Sequence, residues 1–121
     1  MADGMRGWAR LWRATYVSYW GLGYALKNEE AFRIEFALAL ILIPLGIWLG
    51  HSGLERAVLV MSVVAVLIVE LLNSGIEVAV DRIGKEQHPL SGAAKDLGSA
   101  AVHLSLLQVP AVWGLVLLWP S

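Results

Sequence analysis

The stretch Ala57–Arg82, AVLVMSVVAVLIVELLNSGIEVAVDR, decides the fold. Its first thirteen residues carry no charge, and the same helical register then continues through Glu70, Asn73, Glu77 and Asp81. At about 100° per residue, these four side chains fall within one narrow stripe of a helix. Because a membrane span needs about 20 predominantly apolar residues, the stretch predicts a transmembrane helix with an acidic stripe toward one end.

The composition of the whole chain also indicates an integral membrane protein. Of its 121 residues, 58% are hydrophobic and 16% are charged, and the mean hydropathy is +0.66. An ordinary globular protein has about 25% charged residues, and a small water-soluble monomer needs polar residues to cover its surface. The net charge of −1 argues against a nucleic-acid binder. The absence of cysteine excludes disulfides and thiolate chemistry.

Two further apolar stretches, 31–49 and 92–119, join 57–83 to give three predicted transmembrane helices in one domain, 1–121. Lysine and arginine are distributed unevenly between the two sides. Eight of them lie before the first span or around the second loop, and one, Arg56, lies in the first turn. The positive-inside rule therefore predicts that the N-terminus and the second loop face the cytoplasm.

The segment 6–22 has a different pattern. Aromatic residues such as Trp8 and Trp12 recur at helical spacing, and arginines occupy another face. This pattern predicts an amphipathic helix lying in the headgroup plane. Gly21 and Gly23 then predict a flexible break before the membrane is entered. The alternative is an ordinary membrane anchor without a chemical role.

Carboxylates lie where a membrane makes them costly. Glu70 follows the uncharged run, and an ionised carboxylate there is by default a functional-site hypothesis. The alternative is a protonated glutamate that is hydrogen-bonded across a helix interface. Glu29, Glu30 and Glu35 form a second acidic set at about the same level, and Lys95 begins the third span. Since Mg²⁺ is held by carboxylates together with phosphate oxygens, the pattern predicts a phosphorylated nucleotide handled next to the bilayer.

Three motifs closely resemble those of the prokaryotic diacylglycerol kinase family. They are ELLNSGIEVAVDR at 70–82, NEEAFRIE at 28–35 and LSGAAKDLGSAA at 90–101, and the resemblance runs from about Arg10 to Trp113. It implies an all-α membrane protein, a homotrimer of the inner membrane that transfers the γ-phosphoryl group of MgATP to diacylglycerol in phospholipid recycling. It also implies active sites that neighbouring subunits share and that face the cytoplasm.

The resemblance further implies roles for individual residues. Glu70 is the expected general base, Asn73 is expected to orient its neighbours, and Lys95 is expected to neutralise phosphate. The implied Mg²⁺ ligands are Glu29 and Glu77. The implied ATP contacts are Arg10, Glu29, Glu77, Glu86, Gln87, His88, Lys95 and Asp96. The implied lipid contacts are Arg10, Ser18, Ala31, Glu35, Trp48, Glu70, Ser99 and Trp113.

Some positions depart from the family pattern or have a second interpretation. The departures lie in and just after the amphipathic helix, at Val17, Tyr19, Trp20 and Gly23. They leave the lipid preference open, so that an undecaprenol kinase with the same chemistry is the nearest alternative. Interfacial anchoring is the other interpretation of Trp48 and Trp113. His103 in the third span is either a ligand or a group that forms an interhelical hydrogen bond.

An alternative from another class is a small oligomeric proton or cation conductor lined by the acidic stripe. The polar path of a conductor should continue across the membrane. Here Met61, Val63 and Val66 lie beyond Glu70, so the polar path stops halfway. The sequence therefore favours a pocket that opens on one side. A non-catalytic scaffold would leave the buried carboxylates unexplained.

Overall fold

The computed structural model describes residues 6–84 and 87–120, and every regular element in those ranges is an α-helix. The four helices are α1 (Trp8–Asn28), α2 (Glu30–Leu49), α3 (Gly53–Ile83) and α4 (Pro89–Leu118). Helices α2, α3 and α4 are long and apolar enough to cross a membrane. The predicted fold class, an all-α membrane protein with three spans after an N-terminal helix, is thereby confirmed. The homotrimer stays a prediction.

Side chains fix the tight turn between α2 and α3. Ser52 caps α3, since its Oγ accepts a hydrogen bond of 3.1 Å from the backbone N–H of Glu55. Arg56 Nε donates a hydrogen bond of 2.8 Å to the carbonyl oxygen of Ile47, one of the last carbonyls of α2, which have no partner within their own helix. With a side-chain hydrogen bond at each of these helix ends, α3 begins at Gly53, one turn before the predicted span.

Helices α2, α3 and α4 pack through small residues and interhelical hydrogen bonds. A Cβ at the buried Gly46 of α2 would lie 3.1 Å from the Cβ of Leu59 in α3 and 3.4 Å from the ring of Trp113 in α4. The Trp113 indole N–H donates to Ser62 Oγ at 3.0 Å, and the Gln108 amide donates to the Ser62 carbonyl oxygen at 2.7 Å. Close packing and such hydrogen bonds are what holds helices together in lipid.

Large apolar side chains cover the outside of the bundle. Leu40 of α2, Leu72 of α3 and Leu104 of α4 are between 64% and 67% exposed. A soluble monomer rarely exposes large continuous apolar patches, whereas lipid tails are as apolar as leucine. The outer surface therefore suits a bilayer or a neighbouring subunit rather than water.

The predicted break at Gly21 and Gly23 is wrong. Helix α1 continues through both glycines to Asn28, and the chain leaves the helix at Glu29, which has an extended backbone (φ −116°, ψ 107°). A glycine inside a helix costs about 1 kcal/mol relative to alanine. Packing outweighs that cost, because the last turns of α1 contact α2 and Ala25 is buried.

Helix α4 begins at Pro89, three residues before the predicted span. The side chain of His88 caps it, with Nδ1 accepting a hydrogen bond of 3.1 Å from the backbone N–H of Leu90. Proline suits the first position of a helix because it has no N–H to satisfy. The α3–α4 connection is therefore short, and it keeps the end of α3 beside the start of α4.

Candidate active site

The acidic stripe of α3 becomes more exposed toward the end of the helix. Glu70 is 5% exposed and Asn73 is 8% exposed, whereas Glu77 is half-buried and Asp81 is exposed. Because all four lie on one unbroken helix, their order is fixed along its axis. The stripe thus leads from a buried carboxyl group to an open one.

A second carboxyl group meets the buried end of the stripe. Glu35 of α2 lies close enough to Glu70 for the two side chains to interact. Within the described ranges, Oε1 of Glu35 is buried and has no hydrogen-bond partner. Two ionised carboxylates in contact repel each other, and burying an unpaired charge is costly. The structure therefore places two carboxyl groups side by side at the buried end of the stripe.

Asn73, one turn further along α3, lies against α4. Its Oδ1 is buried and has no hydrogen-bond partner in the part of the chain that the structure describes. This oxygen faces the buried Gly98, where an added Cβ would collide with it. The carboxamide of Asn73 therefore fills the space that a glycine leaves open on α4.

At the exposed end of the stripe, Lys95 of α4 forms an ion pair with Asp81, with 2.8 Å between Nζ and Oδ1. Both side chains are nearly half exposed, at 44% and 49%, so the pair adds little to stability. The pair lies on the wall of a cleft of about 640 Å³, a volume within the usual range of small-molecule sites. The other lining residues are Val80, Gly84, Gln87, His88, Pro89, Ser91 and Gly92.

The predicted ATP contacts are divided between this cleft and the region around α1. Gln87, His88 and Lys95 line the cleft, Asp96 is exposed beside Lys95, and Glu86 lies outside the described residues. The half-buried Glu29 lies at the junction of α1 and α2. Arg10 is exposed on α1. Among residues 6–84 and 87–120, no three His, Asp or Glu side chains are grouped so that they could hold a metal ion.

The predicted lipid contacts are spread along the helices. The structure brings Glu35 and Glu70 together, as described above. Trp113 is half-buried and hydrogen-bonded inside the bundle. Trp48 has the exposed position expected of an interfacial tryptophan. Five of the predicted lipid contacts are exposed: Arg10, Ser18, Ala31, Trp48 and Ser99.

Two residues of the sequence motifs, Arg33 and Gly98, organise the site although the sequence analysis gave them no role. Nη1 of Arg33 donates to the carbonyl oxygens of Leu26 and Lys27, both at 3.0 Å, so α2 caps the end of α1 and holds Glu29 between them. A cation near a helix start opposes the helix dipole, and a glycine inside a helix usually has a packing reason. The cation near the start of α2 and the glycine inside α4 are therefore the two sequence features that could have indicated these roles.

Comparison with known proteins gives consistent matches over the four helices. A sequence profile described as prokaryotic diacylglycerol kinase matches residues 16–117. A diacylglycerol kinase of Haemophilus influenzae is 50% identical over 111 residues, which cover 92% of this chain and 94% of that protein. A diacylglycerol kinase of Escherichia coli is 44% identical over 119 residues, 98% of this chain and 97% of that protein. One of Pseudomonas aeruginosa is 44% identical over 115 residues, with 95% and 94% covered.

Proposed function

Because the chain belongs to the prokaryotic diacylglycerol kinase family, it is a lipid kinase, and we propose the following reaction for it. It transfers the γ-phosphoryl group of ATP to the free hydroxyl of diacylglycerol and forms phosphatidic acid and ADP. The names of the relatives support this substrate. One observation carries the proposal: the carboxyl group of Glu70 is buried within α3, a helix long and apolar enough to span a membrane. There it contacts Glu35 of α2.

Glu70 is the proposed general base. The lipid hydroxyl oxygen forms a bond to the γ-phosphorus, the bond from that phosphorus to the bridging oxygen of ADP breaks, and the hydroxyl proton moves to Glu70. Phosphoryl transfer needs mainly positioning and charge stabilisation from a protein. Glu70 is only 5% exposed, so it is kept away from bulk water, which is one condition for such a reaction.

The residues between Glu70 and the cleft have complementary proposed roles. Asn73 and Glu77 follow Glu70 by one and two turns of α3, toward the cleft that Lys95 lines. The Lys95 ammonium has three donors, so it can keep its contact with Asp81 while it binds a phosphate oxygen. Gln87, His88 and Asp96 lie on or beside the cleft and are proposed to contact the nucleotide, as are Glu86 and Arg10.

Glu29 and Glu77 would hold Mg²⁺, which neutralises charge on the ATP phosphates when it is bound. Both side chains are half-buried carboxyl groups, and such hard oxygen donors suit this ion. Mg²⁺ is usually bound by one or two carboxylates together with phosphates and water. A two-carboxylate donor set therefore fits the ion.

The far side of Glu70 supports a kinase over an ion conductor. Val66, Val63 and Leu59 continue along α3 beyond Glu70, and all three are buried. The buried Ser62 lies among them, and its hydroxyl oxygen is hydrogen-bonded to Trp113 inside the bundle. A path for protons or cations would need polar groups or water at these positions. In this proposal the acidic stripe forms one wall of a pocket that opens at the α3–α4 connection.

The proposed setting is the bacterial inner membrane. The distribution of lysine and arginine supports a cytoplasmic N-terminus and a cytoplasmic α3–α4 connection, where ATP is available. The exposed apolar surface of the spans is compatible with the homotrimer that the family resemblance implies, with active sites shared between subunits.

The test is an assay of the purified protein in mixed micelles with ATP and Mg²⁺. Diacylglycerol, undecaprenol and a micelle without a lipid alcohol are compared. We expect ATP-dependent phosphorylation of diacylglycerol, with phosphatidic acid as the product. Preferential phosphorylation of undecaprenol would replace the substrate and leave the chemistry intact, whereas no phosphorylated lipid in any arm would refute the proposal.

A further inference from the structure

We propose that Gly98 is a positioning residue, which sets the direction of the Asn73 carboxamide for phosphoryl transfer. The inference rests on the proposed function. It starts from an unusual pair: a buried amide oxygen without a hydrogen-bond partner among the described residues, and a buried glycine on the facing helix that lies against it.

Glycine is the residue type that fits at position 98 while the Asn73 side chain keeps its present orientation. A Cβ there would collide with Asn73 Oδ1 and would lie 3.3 Å from Asn73 Cγ. The Asn73 carboxamide therefore occupies the volume that the Cβ of any other residue would fill. The two Cα hydrogens of a glycine can face a carbonyl oxygen and give a weak C–H···O contact, which partly compensates the oxygen for its missing hydrogen bond.

Fixing the oxygen also fixes the donor end of the amide. In a planar carboxamide Nδ2 lies on the opposite branch from Oδ1, so its two N–H donors are directed away from Gly98. Along α3, the residues one turn to either side of Asn73 are Glu70 and Glu77. A donor held in advance near these carboxylates, or near a phosphate between them, needs no reorganisation during the reaction. Gly98 thus acts through Asn73 and not on the substrate itself.

The inference predicts a kinetic rather than a folding defect for Gly98→Ala. The colliding atom is the end of a side chain, so rotation of Asn73 relieves the contact without separating α3 from α4. We expect kcat to fall about tenfold or more, since a displacement of about 1 Å can cost that much. The KM values for lipid and MgATP should change by less than about twofold, because uniform substrate binding is not altered.

Gly114→Ala is the matched control. Gly114 lies on the same helix, and a Cβ added there would meet nothing within 4 Å. The two variants make the same change in helix propensity, so a loss of kcat in both would attribute the effect to α4 in general and would contradict the inference.

A double-mutant cycle with Asn73→Ala separates positioning from packing. If Gly98 acts through Asn73, adding Gly98→Ala to Asn73→Ala should leave kcat within about twofold and should not lower the unfolding temperature. Multiplied losses of kcat would overturn the inference. If Gly98→Ala alone does not fold, recovery of folding in the double variant supports the contact, and failure of both refutes it.

The outcomes separate this inference from the proposed function. An unaltered protein without lipid kinase activity would overturn the proposed function and, with it, the role of Gly98 in catalysis. An active protein in which the two substitutions act independently would overturn the role of Gly98 alone.

Discussion

Glu70 and Glu35 are the two residues whose contact is most difficult to explain by structure alone. Glu70 is 5% exposed and Glu35 is half-buried, and each lies in a helix long and apolar enough to span a membrane. Replacing such a pair by apolar residues would remove a large desolvation cost. Stability therefore does not account for the pair, whereas the proposed proton transfer gives it a role.

Glu70→Gln tests that explanation. The amide keeps the size of the side chain and its hydrogen-bonding capacity but cannot accept the hydroxyl proton, so kcat should fall about 100-fold or more. Nucleotide binding, measured by titration, should be unchanged. Glu55→Gln on the same helix is the control, because Glu55 accepts a hydrogen bond in the α2–α3 turn at the opposite end. Activity of Glu70→Gln close to that of the control would remove Glu70 from catalysis.

The proposed metal ligands make a prediction of a different kind. Glu29→Gln and Glu77→Gln each remove one charged oxygen donor, so half-maximal activity should need a Mg²⁺ concentration higher by about tenfold or more. Excess Mg²⁺ or Mn²⁺ should partly restore the rate. Glu30→Gln is the control, since this exposed carboxylate is adjacent to Glu29 in sequence. Identical Mg²⁺ titrations for all three variants would show that the ligands are assigned wrongly.

At the scale of elements, the joint between α1 and α2 determines where the N-terminal helix lies. The helical conformation is interrupted for one residue, at Glu29. Arg33 bridges this interruption by donating hydrogen bonds to two carbonyl oxygens in the last turn of α1. The same contact offsets the unfavourable position of a cation near the start of α2. One side chain therefore couples the direction of α1 to the span that carries Glu35.

Arg33→Gln should loosen this joint. A cation at a helix C-terminus contributes about 0.3–1 kcal/mol, so amide hydrogen exchange in residues 24–28 should accelerate about two- to fivefold. The measurement is hydrogen exchange followed by mass spectrometry in micelles. Arg82→Gln, in the last turn of α3, is the control and should leave exchange in α1 unchanged. Equal exchange in both variants would mean that packing of Ala25, and not Arg33, holds the joint.

The part of the site that lies within one helix could be predicted from the sequence, and the part between helices could not. The stripe from Glu70 to Asp81 follows from the helical period, and its position at one end of the span follows from the end of the apolar run. The contacts of Glu70 with Glu35 and of Asn73 with Gly98 depend on how α2 and α4 are rotated about their axes. That rotation is set by packing at positions such as Gly46 and by hydrogen bonds to Ser62, which local patterns do not reveal.

The positions of helix ends also depend on tertiary contacts and are therefore harder to predict from the sequence than the helices themselves. The sequence predicts the three spans because a long apolar run has few alternatives. Gly21 and Gly23 favour a break by their local preference, but the contact of α1 with α2 overrides it. Local propensity is decisive only where tertiary contacts are absent.

At the scale of the whole molecule, most of the charged groups lie toward the end of the bundle that carries the α3–α4 connection. The cleft and the Lys95–Asp81 pair lie there, and α1 packs onto α2, with few contacts to α3. In the proposed function, a lipid substrate reaches this end from the bilayer and ATP reaches it from water. The amphipathic helix that the sequence predicts at the headgroup level would lie between these two routes.

This position of α1 leads to a prediction that separates its two faces. Trp8 and Trp12 are exposed aromatic residues that suit the headgroup region. Replacing both by serine should loosen the helix from the interface and raise the KM for lipid by about threefold or more, with little effect on ATP. Arg10→Ala should act mainly on the nucleotide, because it removes a charge-assisted contact to phosphate that alanine cannot replace.

The measurement is a pair of substrate titrations, lipid and MgATP, on each variant in mixed micelles. Arg13→Ala is the matched control for Arg10→Ala, since both arginines are exposed on α1 and the family resemblance assigns a phosphate contact to Arg10. A change of KM for MgATP with Arg10→Ala alone would support a helix that reaches over the active site. Should the tryptophan and arginine variants alter both titrations in the same way, α1 would be only an anchor, because a helix that merely holds the protein at the interface has no reason to distinguish the two substrates.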